Sequence, residues 1–343
     1  MDVAQLRTRR LILRFFRLME DLTDMNTSAP DAFSSSAVQH DCTARPVPCR
    51  AASPLHIDYG SLMLLAASGR EKDACLLLRE STPFGGLLSA LGDPLAAKAC
   101  SHAAETSVFS VLVRHLVRTF PDIPYAALNV PSSSGKKALV IGSGPAGLQA
   151  AWTLREHGHE VTVFEAAPSP GMTLLHEPVQ ESSSAPSAPS PAVPADIVER
   201  TVDMLSRSGI KFRCSCPVGQ SHLSSLCEEY DLVLCACGKG AVFPADADGR
   251  INDRLFAAGT CVKNQKLLGA LQSMAFARKT ALAACRALNG GMNAQAYELS
   301  FAPSGTEDVG IFCKNAAAPV ESVQALARHC RICRNNAPSD LPA

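Results

Sequence analysis

The sequence predicts a three-layer α/β domain of the dinucleotide-binding, Rossmann-like kind, preceded by a small helical domain. Three observations carry that expectation. The stretch "ALVIGSGPAGLQAAWTLREHGHEVTVFEA", Ala138 to Ala166, reads as strand, tight turn, helix and strand. Two later apolar runs, in "YDLVLCACGKG" and "DRLFAAGTCV", read as further buried strands that run into glycine turns. Before them, residues 40–125 carry helical patterns divided by Gly and Pro.

The first stretch dictates its own geometry. Ala138 to Ile141 suit a buried parallel strand, and Gly142 permits the tight turn that ends it. Gly144 lets the backbone approach a pyrophosphate, and Gly147 lets the following helix pack closely on the strand. Pro145 and Ala146 open that helix, predicted from about Pro145 to His157, with its unpartnered N–H groups and positive end toward the phosphates. Gly158 stops it. A second strand, "HEVTVFEA", then places Glu165 at its carboxyl end, 23 residues beyond Gly142, to accept hydrogen bonds from ribose hydroxyls.

The remaining elements follow in order. The helical region contains "DYGSLMLLAASGREKDACLLLRES" and "ETSVFSVLVRHLVRTF", separated by "TPFGGLLSALGDP". A Ser/Pro-rich insertion at about 179–195 reads as a surface loop. After it, Val198, Val202 and Leu205 mark one helix face, Gly209 ends that helix, and Ile210 to Cys214 read as a strand. The next strand ends in a turn at Gly238 and Gly240. A short strand, a turn at Gly259 and a long helix containing Gly269, Ala270 and Ala275 complete the domain, 135–290. Flanking it are a basic, flexible segment at 1–39 and a Cys-containing tail at 291–343.

Composition sets outer limits. The chain has 343 residues, 32 basic and 32 acidic side chains and no formal net charge, so nothing points to nucleic acid. Fourteen cysteines in a chain of this length imply core thiols or metal ligands in a reducing cytoplasm rather than disulfide staples. "LILRFF" is too short and too interrupted by Arg for a secretory segment or a transmembrane span. The five arginines of the first twenty residues suit a basic amphipathic helix, for membrane contact or targeting; a docking helix or a start at Met19 or Met25 are the alternatives.

Taken together, "VIGSGPAGLQAAWTLREHGHEVTVFEAAPSPG", "IVERTVDMLSRSGIKF", "EEYDLVLCACG" and "RLFAAGTCV" resemble the small subunit of glutamate synthase. They also resemble the flavin-containing amino-terminal part of dihydropyrimidine dehydrogenase. The resemblance implies a helical iron–sulfur domain, an FAD domain with an inserted NAD(P)H domain, and electron transfer to a partner subunit. It further implies that Gly142, Gly144, Ala146, Gly147 and Glu165 hold the ADP part of FAD. Gly171 and Met172 would lie near the rest of the cofactor, with Gly259 and Thr260 in the later flavin-contact turn.

The departures from that pattern are specific. Only fourteen residues, "AVFPADADGRINDR", stand between Gly240 and Leu255, where one βαβ unit alone needs about 30. No dedicated NAD(P)H domain is therefore expected. Thr260 replaces the acid that follows Gly in the family's late turn, and the paired glycines near Gly171 are reduced to one. In "VPCRAASPLHID" Cys49 keeps one cluster-ligand position, but Ser53 stands in the next, and the two upstream positions fall on Asp41 and Ala44. In the second cluster motif only Cys100 remains, with Gly92 and Leu95 in ligand positions. No iron–sulfur cluster is expected in the amino-terminal domain.

The spacing of the other cysteines separates core thiols from candidate ligands. Cys214 with Cys216, and Cys235 with Cys237, read as small residues on one face of a strand, filling a parallel-sheet core. Cys330 and Cys333 form a CxxC pair among Arg328, Arg331 and Arg334, which suits metal or cluster ligation completed by Cys313, His329 or a partner, or dithiol redox work; a plain tail is the alternative. His157 and His159 read as solvated turn residues. No acid–base or nucleophilic constellation is evident, so any chemistry belongs to the cofactor. The leading expectation is an FAD-binding electron-transfer or accessory subunit with a protein partner that supplies or accepts electrons. A compact NAD(P)H-dependent flavin oxidoreductase and a non-catalytic interaction protein are the alternatives.

Overall fold

The computed structural model describes residues 48–67, 69–100, 107–121, 133–176, 193–263, 265, 267 and 269–288. The basic segment at 1–39, Asp41, Ala44, most of the insertion, and Cys313, Cys330 and Cys333 lie outside the described residues.

Among the described residues six helices come first: α1 Pro48–Ala52, α2 Tyr59–Ala67, α3 Glu71–Ser81, α4 Gly85–Leu91, α5 Pro94–Ala99 and α6 Ser107–Thr119. The expected separator "TPFGGLLSALGDP" thus contains a helix of its own. Its apolar side chains Leu87 and Leu88 are buried, and that burial outweighs the poor helix propensity of the glycines that open it. Asp93 caps α5, accepting a hydrogen bond from the Ala96 N–H at 3.1 Å, with Pro94 at the first helical position.

The α/β part follows as β1 Lys137–Ile141, α7 Pro145–Glu156, β2 Glu160–Phe164, α8 Met172–His176, α9 Ala195–Arg207, β3 Lys211–Arg213, α10 Leu223–Glu229, β4 Leu232–Cys235, β5 Leu255–Ala257 and α11 Ala270–Leu288. All strand pairs are parallel and the order is β3-β2-β1-β4-β5. In β1 every residue after Lys137 is buried, and β4 is buried throughout, as expected of strands covered on both faces. α11 packs along α7. Buried Ala275, Ala277, Ala281 and Ala284 on α11 and Ala150 and Ala151 on α7 present side chains short enough for close approach.

The helical part and the α/β part share one connected hydrophobic core. Two expectations about strands need correction. β3 ends at Arg213, and Ser215 turns the chain with φ +53, so Cys214 and Cys216 follow the strand instead of lining it, and both are half-buried. β4 ends at Cys235, which is buried, while Cys237 lies two residues further on and is half-buried. The insertion also ends earlier than expected. Val193 is buried and its N–H bonds the Leu174 carbonyl at 3.0 Å, and Ala195 already belongs to α9.

Candidate functional site

In a doubly wound sheet, ligands bind outside the carboxyl ends of the strands where the order reverses, here between β1 and β4. Gly142 stands at that point. Its φ is +101, and a Cβ there would lie 2.5 Å from the Ala236 carbonyl oxygen past the end of β4. Only glycine fits. A Cβ on Gly147 would lie 2.0 Å from the Gly142 carbonyl oxygen, so the first turn of α7 is folded directly onto the glycine turn.

Gly144 is the N-cap of α7 and Pro145 its first residue; among the described residues no side chain caps this helix end. Its N–H groups and positive end are thereby available to an anion. The residues fit a diphosphate in this respect. Glu165 stands one residue past β2, as expected. Its Oε2 accepts the Ser143 N–H at 2.8 Å and the Ser143 hydroxyl at 2.5 Å, and its Oε1 accepts the Ala167 N–H at 2.8 Å. A carboxylate has about four acceptor positions, so one remains, on Oε1, for a ribose hydroxyl. The Gly171 N–H donates to the Ser143 hydroxyl oxygen at 2.9 Å, which ties the start of the Met172 helix into the same unit.

The later turns converge on this place from β4 and β5. Single 3₁₀ turns at Gly238–Gly240 and Gly259–Cys261 lie beside one another, with a Cβ on Gly238 4.0 Å from the Thr260 hydroxyl oxygen. Gly259 has φ +79, and a Cβ on it would meet the Cβ of Ala146 at 2.8 Å. Thr260 beside it is exposed. Gly142, Gly144, Pro145, Ala146, Gly147, Gly259 and Thr260 are thus gathered at the N-terminus of α7. Glu165 and Gly171 are joined to them through Ser143. Met172 is half-buried at the start of α8. Ser143 was not singled out from the sequence, because it fills an unspecified position of the glycine motif and its partner is 22 residues away.

The segment between Gly240 and Leu255 folds back on the domain. Phe243 pairs with Val262 in a parallel bridge, Arg250 with Phe256 in an antiparallel one, and the Gly249 carbonyl accepts the Ala257 N–H at 2.7 Å. It contains no helix and no strand longer than a bridge.

In the helical part, Ser53 occupies one of the cluster-ligand positions implied by the resemblance. Its hydroxyl donates to Asp93 Oδ2 at 2.6 Å, and the Tyr59 hydroxyl donates to the same oxygen at 3.1 Å. All three side chains are buried, and burial pushes the Asp93 carboxyl above its ordinary range. Cys49 is buried and Cys100 half-buried. The donor set centred on Asp93 is oxygen, whereas iron–sulfur clusters are held by thiolates. These residues do not fit such a centre. Among the described residues, no group of three or more His, Cys, Asp or Glu side chains is placed to hold a metal ion.

The histidine expectation fails at one residue. His157 is half-buried, its Nδ1 2.8 Å from the Thr153 carbonyl, but His159 is fully buried with Nδ1 2.7 Å from the Ser134 hydroxyl and Nε2 without a partner among the described residues. Burial, reinforced by His157, lowers its pKa from 6.5 to about 4; Asp231 opposes this and Lys136 adds the smallest contribution.

Comparison with known proteins finds similarity to subunits and chains of oxidoreductases. Residues 140–189 match the family described as the NAD(P)-binding Rossmann-like domain. The chain is 27% identical over 202 residues to the NAD-dependent dihydropyrimidine dehydrogenase subunit PreT of Salmonella typhimurium, covering 56% of this chain and 46% of that protein. It is 26% identical over 224 residues to the NADP(+)-dependent formate dehydrogenase subunit beta of Moorella thermoacetica, covering 56% and 29%. It is 35% identical over 106 residues to the glutamate synthase [NADPH] small chain of Bacillus subtilis, covering 31% and 20%. The matches span less than half the length of each of these relatives. Among the described residues, no helix is long and apolar enough to cross a membrane.

Proposed function

We propose that the chain binds FAD in the cradle formed by Gly142, Gly144, Ala146, Gly147 and Glu165 and serves as an electron-transfer or accessory subunit of a pyridine-nucleotide-dependent oxidoreductase. The observation that carries this reading is the convergence of two turns on one helix end. The first is the glycine turn after β1, and the second is the Gly259–Cys261 turn, which closes to within van der Waals contact of Ala146. The motif that resembles a flavin-contact turn therefore borders the same crevice as the dinucleotide fingerprint. When bound, the flavin would supply hydride and electron transfer, while the protein supplies position and electrostatics.

In this reading the N-terminus of α7 binds the diphosphate, and Glu165, held by Ser143 and Ala167, accepts a ribose hydroxyl. Gly171, Met172, Gly238 and Thr260 border the part of the crevice toward the flavin ring. Residues Ala241 to Arg254 fold back on the domain through bridges to Val262 and Phe256, and this reading assigns the pyridine nucleotide no domain of its own there. Hydride transfer needs donor and acceptor fixed in a reactive pose. A partner protein holding the donor or the acceptor fits this arrangement, and the relatives that are named as subunits or chains support it.

A second reading, a pyridine nucleotide in the same cradle, is favoured by the NAD(P)-binding family match over residues 140–189. Anaerobic stopped-flow mixing of the FAD-loaded chain with NADPH separates the subunit from a compact oxidoreductase. Slow bleaching alone and fast bleaching with a co-purifying protein are expected. Fast, saturable bleaching of the isolated chain would overturn the accessory role.

A further inference from the structure

Cys237 and Cys261 stand where neither the diphosphate nor the ribose reading makes use of them. Strands β4 and β5 pair in parallel with Cys235 opposite Ala257, so the segments that leave them emerge side by side. Cys237 lies two residues past β4 and Cys261 four residues past β5. The 3₁₀ turns at which they stand lie beside one another, with a Cβ on Gly238 4.0 Å from the Thr260 hydroxyl oxygen, which brings the two thiols near enough to influence each other. Cys261 Sγ also lies 3.1 Å from the Ala258 carbonyl and 3.3 Å from the Cys235 carbonyl, and it can donate to either.

The pair is asymmetric. Cys261 is fully buried and Cys237 half-buried, so a small reagent can reach Cys237 first. Cys261 carries one proton and has three acceptors around it, two carbonyls and the Cys237 sulfur. Turning that proton to Cys237 stabilises a thiolate there, which holds the Cys237 thiol below its ordinary range and pushes Cys261 up. Cys214 and Cys227, also half-buried, have no such donor among the described residues, and burial raises both.

We propose that Cys237 and Cys261 are a redox-active dithiol on the rim of the dinucleotide crevice, with Cys237 the attacking thiolate, Cys261 the resolving thiol and a low-molecular-weight disulfide the oxidant. The Cys237 thiolate attacks one sulfur of the small disulfide; its S–S bond breaks, one small thiolate leaves, and a mixed disulfide forms on Cys237. Cys261 then gives its proton to the departing group and attacks the Cys237 sulfur, expelling the second small thiolate. The protein loses two electrons and gains one disulfide, and the small disulfide is reduced to two thiols. The bond would clamp the two turns together. Cys237 Cα lies 3.2 Å from where a Cβ on Gly142 would stand, so the clamp adjoins the first glycine of the cofactor turn. The proposal does not depend on which nucleotide the crevice takes.

Peptide mapping tests it, because Lys239, Arg250 and Arg254 lie between the two cysteines and trypsin separates them. The reduced full-length chain is treated with oxidised glutathione at neutral pH, quenched with acid and digested without reduction. A peptide linking Cys237 to Cys261 is expected, forming about tenfold faster than adducts at Cys214 or Cys227. In Cys261→Ala the glutathione adduct should accumulate on Cys237, and in Cys237→Ser no adduct should appear on Cys261. Absence of the linked peptide from the wild type, or adduct formation at Cys237 no faster than at Cys214, would overturn the proposal. Both of those results are read on the unmutated chain and stand even if a variant fails to fold.

Discussion

The Ser143 hydroxyl donates to Oε2 of Glu165 at 2.5 Å and accepts the Gly171 N–H at 2.9 Å. One small side chain thus joins three pieces of the crevice: the glycine turn, the end of β2 and the segment leading into α8. Without it, Glu165 would keep its bonds to the Ser143 and Ala167 N–H groups but lose a charge-assisted partner.

Ser143→Ala is expected to weaken FAD binding about tenfold, corresponding to about 1.4 kcal/mol, by loosening both Glu165 and Gly171. Titration calorimetry on the variant checks this. An unchanged affinity would remove Ser143 from the site.

Gly147→Ala should abolish dinucleotide binding and destabilise the chain by about 2–4 kcal/mol, because the added Cβ would meet a backbone oxygen at 2.0 Å and the turn must open. Thermal unfolding and calorimetry on the same sample separate the two effects. A normal melting temperature with lost binding would mean that the turn can yield without cost.

His159 makes stability depend on pH in a defined window. Its folded pKa, about 4, lies below the unfolded value of 6.5, so the unfolded chain binds the extra proton and stability is lost as pH falls from about 6.5 toward 4. The effect is on the order of 3 kcal/mol when complete. Denaturant unfolding at pH 7 and pH 5 should show the loss, and His159→Gln should reduce it. Some slope should persist, because burial lowers the pKa of His56 in the same direction.

Thr280 on α11 has a buried hydroxyl oxygen without a hydrogen-bond partner among the described residues, against the turn at Gly249. Thr280→Val removes that polar atom at nearly constant shape and should leave stability unchanged or raise it by about 1 kcal/mol. A lower melting temperature would reveal a partner for the hydroxyl.

What could be read from the sequence was local. The glycine turn, α7, β2 and the position of Glu165 follow from residues within one βαβ unit, where spacing alone fixes the geometry. Contacts across longer separations were not legible. His159 is buried because Ser134, 25 residues earlier, supplies its partner, and nothing in "REHGHE" distinguishes it from a solvated turn residue. Cys214 and Cys216 alternate as strand residues do, but Ser215 takes a left-handed conformation that a pattern of apolar spacing does not encode. Ser53 looked like a lost ligand; that it would hydrogen-bond to Asp93, 40 residues on, depends on how α1 and α5 pack.

The flavin reading is tested most directly by calorimetric titration of the purified full-length chain with FAD, run beside FMN, NAD+ and NADP+. Stoichiometric binding of FAD, with FMN excluded and the pyridine nucleotides much weaker, is the predicted result. Binding of NAD+ or NADP+ in preference to FAD, or no binding of FAD at all, would contradict it.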